Sequence, residues 1–205
     1  MNPKFTTCFG LIRHGKTQWN LEKKIQGKND LKLCGEGVMQ VQTWGKILGK
    51  THNWDRIVTS SLKRTRETAG IINKYLNLPM EKDHRLDEQD WGVWNGKKRQ
   101  DFMAGQLKEL ERQMALGWQF CPPGGEDRLS VWKRTRNAFE DMAVRFQGKN
   151  ILVVTHSGVI RIVIYGILKR KFLPDERPLL KPYHLHLLAW DNDDLVIKSL
   201  NERKC

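Results

Sequence analysis

Three short apolar runs constrain this chain most, because each of them ends abruptly in polar side chains. The first, Cys8–Ile12, leads into Arg13-His14-Gly15, and the last, Ile151–Thr155, leads into His156-Ser157-Gly158. The middle run, Arg56–Thr59, leads into a stretch with helical spacing of apolar residues. Continuous apolar runs of this length are typical of strands that are buried on both faces. Because ligands bind outside the carboxyl ends of parallel strands, we expect the polar side chains to meet at one sheet edge.

Predicted strands alternate with predicted helices, which indicates an α/β fold: a doubly wound, mainly parallel sheet with helices on both faces. We interpret residues 1–205 as one domain and residues 95–147, which are highly charged, as a helical insertion that caps the site. Helices are predicted at 36–50, 62–76, 95–119, about 132–146 and 159–168, and two further strands at 184–190 and 195–200.

Composition favours a compact globular protein without a membrane span or a nucleic-acid partner. The formal charge is +13, but no basic stripe interleaved with aromatic residues accompanies it, so we interpret the charge as a solvated surface. No apolar run approaches the roughly 20 residues that a bilayer requires. The stretch Met1–Thr7 lacks a signal-peptide core, and four cysteines without paired spacing indicate a reducing cytoplasm. Oligomeric state stays open, with a homodimer as one alternative.

The chemistry of the first polar cluster points to phosphate. Arg13 offers a planar fork of donors that suits phosphate oxygens. His14 is a good nucleophile when its ring is neutral, and Gly15 allows the backbone to approach a ligand closely. On these three residues alone, a strand end whose polar side chains face water is an equal alternative.

An ordered set of motifs across nearly the whole chain resembles the histidine phosphatase superfamily, which includes phosphoglycerate mutases and many phosphomonoesterases. The matching segments are 13–15, 19–20, 26–27, 60–69, 88–96, 122–126 and 154–161. The resemblance implies that His14 becomes phosphorylated, and that Arg13, Arg64 and His156 form the phosphate pocket. It also implies a set of residues that line the pocket and the substrate mouth: Thr17, Asn20, Gln26, Gly27, Arg66 and Ser157. For Arg66, a surface salt bridge is an almost equal alternative.

A leaving alkoxide needs a proton, which an acid with a raised pKa can supply. The family pattern places this role on Glu88, with Asp87 and Asp90 as structural competitors in the same loop. Trp91 and Trp94 either lower the polarity around the acid or form plain core.

We expect neither a metal nor a cofactor. His184 and His186 share a strand face, but no third ligand at a sensible spacing supports a metal site. Glu126 is interpreted as a structural residue at a helix start. No cysteine lies in a glycine-rich anion loop, so a cysteine nucleophile is not expected.

Three functions follow from the resemblance. The first is a phosphomonoesterase that acts on a small phosphorylated metabolite and hydrolyses a phosphohistidine intermediate. The second is a phosphoglycerate mutase, which returns the phosphoryl group to its substrate; the tryptophan-glycine pattern at 91–96 favours the phosphatases. A non-catalytic scaffold, the third, would be expected to have lost a pocket residue, and this sequence keeps them all.

Overall fold

The three apolar runs form three inner strands of a six-stranded sheet in the computed structural model, which describes residues 6–102 and 104–204. The strands are β1 (Thr7–Arg13), β2 (Arg56–Thr59), β3 (Met80–Lys82), β4 (Asn150–Thr155), β5 (His184–Asp191) and β6 (Asp194–Lys204). Their order across the sheet is β3-β2-β4-β1-β5-β6. Three pairs are parallel, whereas β5 pairs antiparallel with both β1 and β6. The predicted α/β fold with a mainly parallel sheet is confirmed.

Register places the polar strand ends side by side. Arg13 lies opposite Thr155 on the neighbouring β4, and Thr59 at the end of β2 lies opposite Val154. The backbone N–H groups of His14 and Ser60 extend these ladders with hydrogen bonds of 3.0 Å to β4 carbonyls. The ends of β1, β2 and β4 therefore converge at one edge, as the sequence predicts.

Helices cover both faces of the sheet because the central strands are apolar on both sides. The helices are α1 (Gln18–Leu21), α2 (Gly35–Thr51), α3 (Lys63–Leu76), α4 (Ala104–Ala115), α5 (Arg128–Arg145) and α6 (Ser157–Ile167). Trp44 of α2 and Ile72 of α3 share one core cluster with Ile12 of β1. On the other face, Phe139 of α5 packs in a cluster with Phe9.

The segment 95–119 is not the continuous helix that its pattern predicts. Only α4 is α-helical, and single turns of 3₁₀ helix stand at 99–101 and 117–119. Gly96 and Gly117 have φ values of +81° and +57°, which are left-handed conformations that interrupt a helix. Phe102 is buried, as expected, although it precedes α4.

Strand β3 was not predicted from the sequence. It has three residues and pairs only with β2, at the edge of the sheet, so it carries little apolar pattern.

Helix α5 lies inside the range 95–147, yet its buried face belongs to the layer that covers the sheet. Phe139 is fully buried, and its ring meets the Phe9 ring edge-on with centroids 4.9 Å apart. The cap over the site stays a prediction, and it can only concern the residues that precede α5.

Within the described ranges, no helix combines the length and the apolar character that crossing a bilayer requires. Cys8, Cys34 and Cys121 are free thiols. Cys205 lies outside the described residues, as does the N-terminal stretch 1–5.

The packing of α5 predicts a large difference between two truncations on the same helix. Phe139→Ala should lower the free energy of unfolding by about 3–5 kcal/mol, because it leaves a cavity against Phe9. Val144→Ala should change it by less than about 0.5 kcal/mol, since the Val144 side chain is 76% exposed. Urea unfolding measures both. Equal losses would show that α5 does not pack on the sheet as described.

Candidate active site

His14 is a buried histidine whose tautomer is fixed by its own loop. Its Nδ1 lies 2.7 Å from the Gly15 carbonyl oxygen, which can only accept, so Nδ1 carries the proton and Nε2 has the free electron pair. Burial, followed by the charges of Arg13 and Arg64, lowers the pKa of His14 well below its ordinary value. The ring is therefore neutral at physiological pH, and its nucleophilic nitrogen is Nε2.

The close packing beneath His14 requires Gly15. A Cβ atom there would lie 2.5 Å from a methyl carbon of Val41, on α2. Because glycine has no side chain, the loop that contains His14 can pack closely against α2.

Arg64 lies at the start of α3 and its side chain is fully buried. Nη1 donates to the Asn29 carbonyl at 2.7 Å, Nη2 donates to the Gly27 carbonyl at 2.8 Å, and Nε donates to His14 Nε2 at 3.2 Å. Burial lowers the pKa of Arg64 to about 10, so the group is still charged at neutral pH. A fixed positive charge thus contacts the nucleophilic nitrogen directly.

Arg13 provides a second positive charge from the end of β1. Its guanidinium lies over the Tyr183 ring, 5.2 Å from the centroid. Its Nε is buried and has no hydrogen-bond partner among the described residues. A buried N–H without a partner is costly, which is typical of a site that binds an acceptor.

His156 is fully buried beside His14, with the two ring centroids 5.3 Å apart. Its Nε2 lies 2.8 Å from Ser60 Oγ, and its Nδ1 is buried without a partner in the described part of the chain. Burial lowers its pKa well below the ordinary value, and the charge of Arg64 lowers it further.

Glu88 reaches the same site from the loop after β3. One carboxylate oxygen accepts from its neighbour Gln89 at 3.1 Å, and the other lies 3.4 Å from the Gly158 backbone nitrogen. A Cβ at Gly158 would lie 2.4 Å from this carboxylate, so the glycine makes room for it. Burial raises the pKa of Glu88, although Arg64 and Arg13 partly oppose the shift. The raised pKa favours the protonated form that a general acid needs.

Thr17, Asn20 and Gln26 form one hydrogen-bonded group beside the pocket. Thr17 caps the short helix α1, because Asn20 N–H donates to its hydroxyl and its own N–H donates to Asn20 Oδ1. The Thr17 hydroxyl also lies 3.1 Å from Gln26 Oε1. The amide oxygens of both side chains are thus used within the group.

Two of the remaining predicted residues lie at the margin. Ser157 is the exposed first residue of α6 and lines a cavity of about 260 Å³ next to Arg13. Arg66 is exposed on α3, two positions beyond the buried Arg64. Two positions on a helix point about 200° apart, so Arg66 is not brought together with the pocket.

In the loop that carries Glu88, Asp90 and the two tryptophans make structural contacts. Asp90 accepts the Gly92 N–H at 2.9 Å and the Asn95 amide at 3.1 Å. Trp94 is buried in a small separate core, against which Trp91 packs. For the tryptophans, this arrangement fits the alternative of plain core.

Glu126 pairs with Arg134 at 2.7 Å and has the structural position expected of it. The helix cap, however, is Asp127, whose Oδ1 accepts the Ser130 N–H at 2.9 Å. Arg134 also donates to the Arg85 carbonyl at 2.6 Å, which ties α5 to the Glu88 loop.

His184 and His186 lie on β5 beside the cavity rather than in the pocket. His186 Nδ1 accepts the Asn201 N–H at 3.2 Å, and His184 Nδ1 lies 2.8 Å from the Pro182 carbonyl. Over residues 6–102 and 104–204, the structure shows no group of three side chains suited to holding a metal ion.

Sequence reasoning missed one set of polar contacts behind His156. Ser60 Oγ lies 2.8 Å from Asp87 Oδ1 as well as from His156. The only signal for this contact was the position of Ser60 directly after a predicted strand, next to the other strand ends.

Comparison with known proteins agrees with this arrangement. A family model described as "Histidine phosphatase superfamily (branch 1)" matches residues 9–203. A Bacillus subtilis protein named "Uncharacterized phosphatase PhoE" is 32% identical over 161 residues, which cover 78% of this chain and 77% of that protein. A Salmonella paratyphi C protein named "Probable phosphoglycerate mutase GpmB" is 35% identical over 162 residues, which cover 77% of this chain and 73% of that protein.

Solved structures extend the likeness to nearly the whole chain. A mutant phosphoserine phosphatase from Entamoeba histolytica, solved in complex with phosphoserine, superposes with a TM-score of 0.80 at 25% identity. The superposition covers 96% of this chain and 97% of that one. The Bacillus stearothermophilus protein YhfR gives a TM-score of 0.81 at 26% identity and covers 94% and 96% of the two chains.

The three donor contacts of Arg64 predict that lysine cannot replace it. Arg64→Lys should lower the free energy of unfolding by about 1–3 kcal/mol, because at least one buried carbonyl at Gly27 or Asn29 loses its donor. Arg66→Lys, the matched exchange on the exposed face of α3, should change it by less than about 0.5 kcal/mol. Chemical unfolding of both variants gives the comparison. A loss in Arg66→Lys as large as that in Arg64→Lys would contradict the described contacts.

Proposed function

Because this chain belongs to the histidine phosphatase superfamily, we propose that it hydrolyses phosphomonoesters of small metabolites through a phosphohistidine intermediate on His14. The observation that carries the proposal is the protonation of His14. Its Nδ1–H is held by the Gly15 carbonyl, which leaves the Nε2 electron pair for attack on phosphorus.

The pocket neutralises the phosphoryl group through its two arginines. The unpartnered Nε–H of Arg13 is available to a phosphoryl oxygen. Arg64 donates its Nε–H to His14 Nε2. Before Nε2 can attack, this N–H must donate to a phosphoryl oxygen instead. When the phosphoryl group binds, Nε2 of His14 thus becomes free to attack. At the same time the arginines neutralise the negative charge of the phosphoryl group.

In the first step, His14 Nε2 forms a bond to phosphorus and the bond between phosphorus and the ester oxygen breaks. The electron pair leaves with the alcohol oxygen, which takes a proton from the Glu88 carboxyl group. The raised pKa of Glu88 keeps this group protonated to a higher pH than an exposed carboxyl group.

In the second step, water attacks phosphorus and the bond to His14 Nε2 breaks. The Glu88 carboxylate takes the proton of the water, so the enzyme returns to its starting state and inorganic phosphate leaves. A single carboxyl group therefore serves as acid and then as base.

These pKa shifts set the direction of the pH dependence. The lowered pKa of His14 keeps its ring neutral at pH values below its ordinary pKa of about 6.5. The raised pKa of Glu88 preserves the acid form to higher pH, and activity on alkyl esters should fall as pH rises through that value.

Size and charge of the neighbouring cavity support a small substrate. It has a volume of about 260 Å³, adjoins Arg13 and Ser157, and includes Lys181 and Arg161 among its lining residues. That space suits a small organic group next to a phosphate. The structures of related proteins with phosphoserine and with 3-phosphoglyceric acid support the same substrate class.

The proposal includes a metal-independent reaction in the cytoplasm, with no nucleic acid or membrane partner. Arg13 and Arg64 supply the positive charge that a metal ion would otherwise bring to a phosphoryl group. The cysteine spacing supports a reducing compartment.

Phosphoglycerate mutase activity is the second candidate, because relatives at 35% identity carry that name. It shares the first step and differs only in the acceptor of the second. With 3-phosphoglycerate as substrate, a hydrolase releases phosphate without a bisphosphate primer, whereas fast isomerisation that depends on the primer would establish the mutase.

The intermediate predicts a phosphate that can be trapped on His14. Enzyme quenched during turnover should carry acid-labile, base-stable phosphate, and His14→Ala should abolish both the label and turnover. His84→Ala, which removes an exposed histidine, should leave both unchanged. Full activity in His14→Ala would end the phosphohistidine mechanism.

The role of Glu88 predicts a dependence on the leaving group. Alkoxides leave poorly without a proton, whereas p-nitrophenolate leaves well unaided. In the first turnover, Glu88→Gln should slow release of the alcohol from alkyl phosphates by about 10²- to 10⁴-fold, slow release of p-nitrophenol much less, and flatten the alkaline limb of the pH profile. Later turnovers of both substrates should slow together, because they share the water step.

Asp90→Asn is the matched control, because Asp90 lies in the same loop and only holds backbone and amide groups. It should affect both substrates alike. If Glu88→Gln also slowed first-turnover release from both substrates equally, another group would be the proton donor.

A further inference from the structure

A buried chain of hydrogen bonds joins His156 to a carboxylate that the proposed mechanism does not use. His156 Nε2 lies 2.8 Å from Ser60 Oγ, and Ser60 Oγ lies 2.8 Å from Asp87 Oδ1. Ser60 and His156 are both fully buried. The chain connects the end of β2 and the Glu88 loop to the end of β4.

The donors around Asp87 fix the direction of these hydrogen bonds. The backbone N–H of Ser61 donates to Oδ1 at 2.7 Å, and the Ser61 hydroxyl lies 2.7 Å from Oδ2. The carboxylate that accepts from Ser61 also accepts the single hydroxyl proton of Ser60. Ser60 Oγ then accepts from its other neighbours, the Leu62 N–H at 3.2 Å and His156 Nε2.

It follows that Nε2 of His156 carries a proton and Nδ1 has a free electron pair. The opposite tautomer would need the Ser60 proton on its side, which would leave two acceptor oxygens, on Ser60 and Asp87, facing each other at 2.8 Å. That loss of a buried hydrogen bond disfavours it. Nδ1, the atom with no partner in the described residues, is therefore an acceptor rather than a donor.

An acceptor atom is unsuited to a phosphate dianion unless a proton lies between them. We propose that Asp87, acting through Ser60, positions His156 and stabilises the imidazolium that forms when Nδ1 takes a proton together with the bound phosphate. Phosphate binding is thereby coupled to the uptake of one proton. This role rests on the proposed function, since it needs His156 to contact phosphate.

The proton balance is simple. A phosphate group that arrives as the monoanion brings its own proton, which Nδ1 and a phosphate oxygen then share. One that arrives as the dianion, which predominates well above its second pKa of about 6, requires one proton from solution. No bond other than N–H and O–H changes in this step.

The charges around His156 explain why a carboxylate is needed. Arg64 from α3, Arg13 and His14 from β1, and Arg134 from α5 all oppose a positive ring. Asp87 is the anionic group that reaches the ring through a hydrogen bond, and Glu88 lies in the same loop. Bound phosphate adds the second negative charge that the imidazolium needs.

The test uses the full chain labelled with ¹⁵N-histidine, with inorganic phosphate as the probe at pH 8. His156 is identified by comparison with a His156→Asn spectrum. In the free protein, Nε2 should carry the proton and Nδ1 should be bare. Saturating phosphate should protonate Nδ1 as well. The protonation state of His156 can be measured without turnover, so this test can fail independently of the test for hydrolysis.

Asp87→Asn keeps the shape of the side chain and its acceptor oxygen but removes the charge. It should weaken phosphate binding about tenfold at both pH 5 and pH 8, which corresponds to a shift of one pKa unit, because the bound complex carries the same proton whichever phosphate species arrives. Asp83→Asn is the matched control, because Asp83 pairs with Arg85 in the same segment and does not contact Ser60.

Three results would overturn the proposal. The first is a free protein with the proton on Nδ1 of His156, and the second is a bound state in which Nδ1 stays bare. The third is an Asp87→Asn variant whose phosphate binding follows that of Asp83→Asn at both pH values. Ser60→Ala, which breaks the hydrogen-bond chain without removing a charge, should reproduce the loss of phosphate binding, and wild-type binding in this variant would show that the coupling does not run through the hydroxyl.

Discussion

The site depends on one arrangement of backbone hydrogen bonds: β4 lies between β1 and β2 and pairs in parallel with both. Parallel pairing brings the carboxyl ends of the three strands to the same edge. The residues that follow each strand are therefore neighbours in space although about 50 to 140 positions separate them in sequence. Every polar group of the pocket that follows a strand is placed by this register.

A second constraint is electrostatic, because two histidines lie buried beside two arginines. Desolvation and the arginine charges both disfavour a positive ring, so His14 and His156 are neutral. The two neutral rings carry their protons on different nitrogen atoms. His14 donates from Nδ1 to a backbone carbonyl and keeps Nε2 for attack, whereas His156 donates from Nε2 to Ser60 and keeps Nδ1 as an acceptor.

The carboxylates of the loop after β3 show how position alone separates roles. Asp87 and Glu88 are adjacent in sequence, yet Asp87 turns toward the serines at the end of β2 and Glu88 toward the start of α6. Burial raises the pKa of Glu88 against the pull of the arginines. Asp87 accepts hydrogen bonds from Ser60 and Ser61.

The sequence by itself determined the α/β fold and the inner strands, because an apolar run with a polar end is a pattern local in the chain. The pocket residues Arg13, His14, Arg64 and His156 were predicted from the resemblance of their motifs to the family. The tertiary structure decided what no local pattern carries. The left-handed conformations of Gly96 and Gly117 divide the segment 95–119, and packing against Phe9 makes α5 part of the sheet layer. Hydrogen-bond direction at Ser60 depends on Asp87, 27 residues away, and on His156, 96 residues away. The tautomers that govern the chemistry were decided by such distant contacts, because a ring nitrogen takes its proton state from whatever the fold brings next to it.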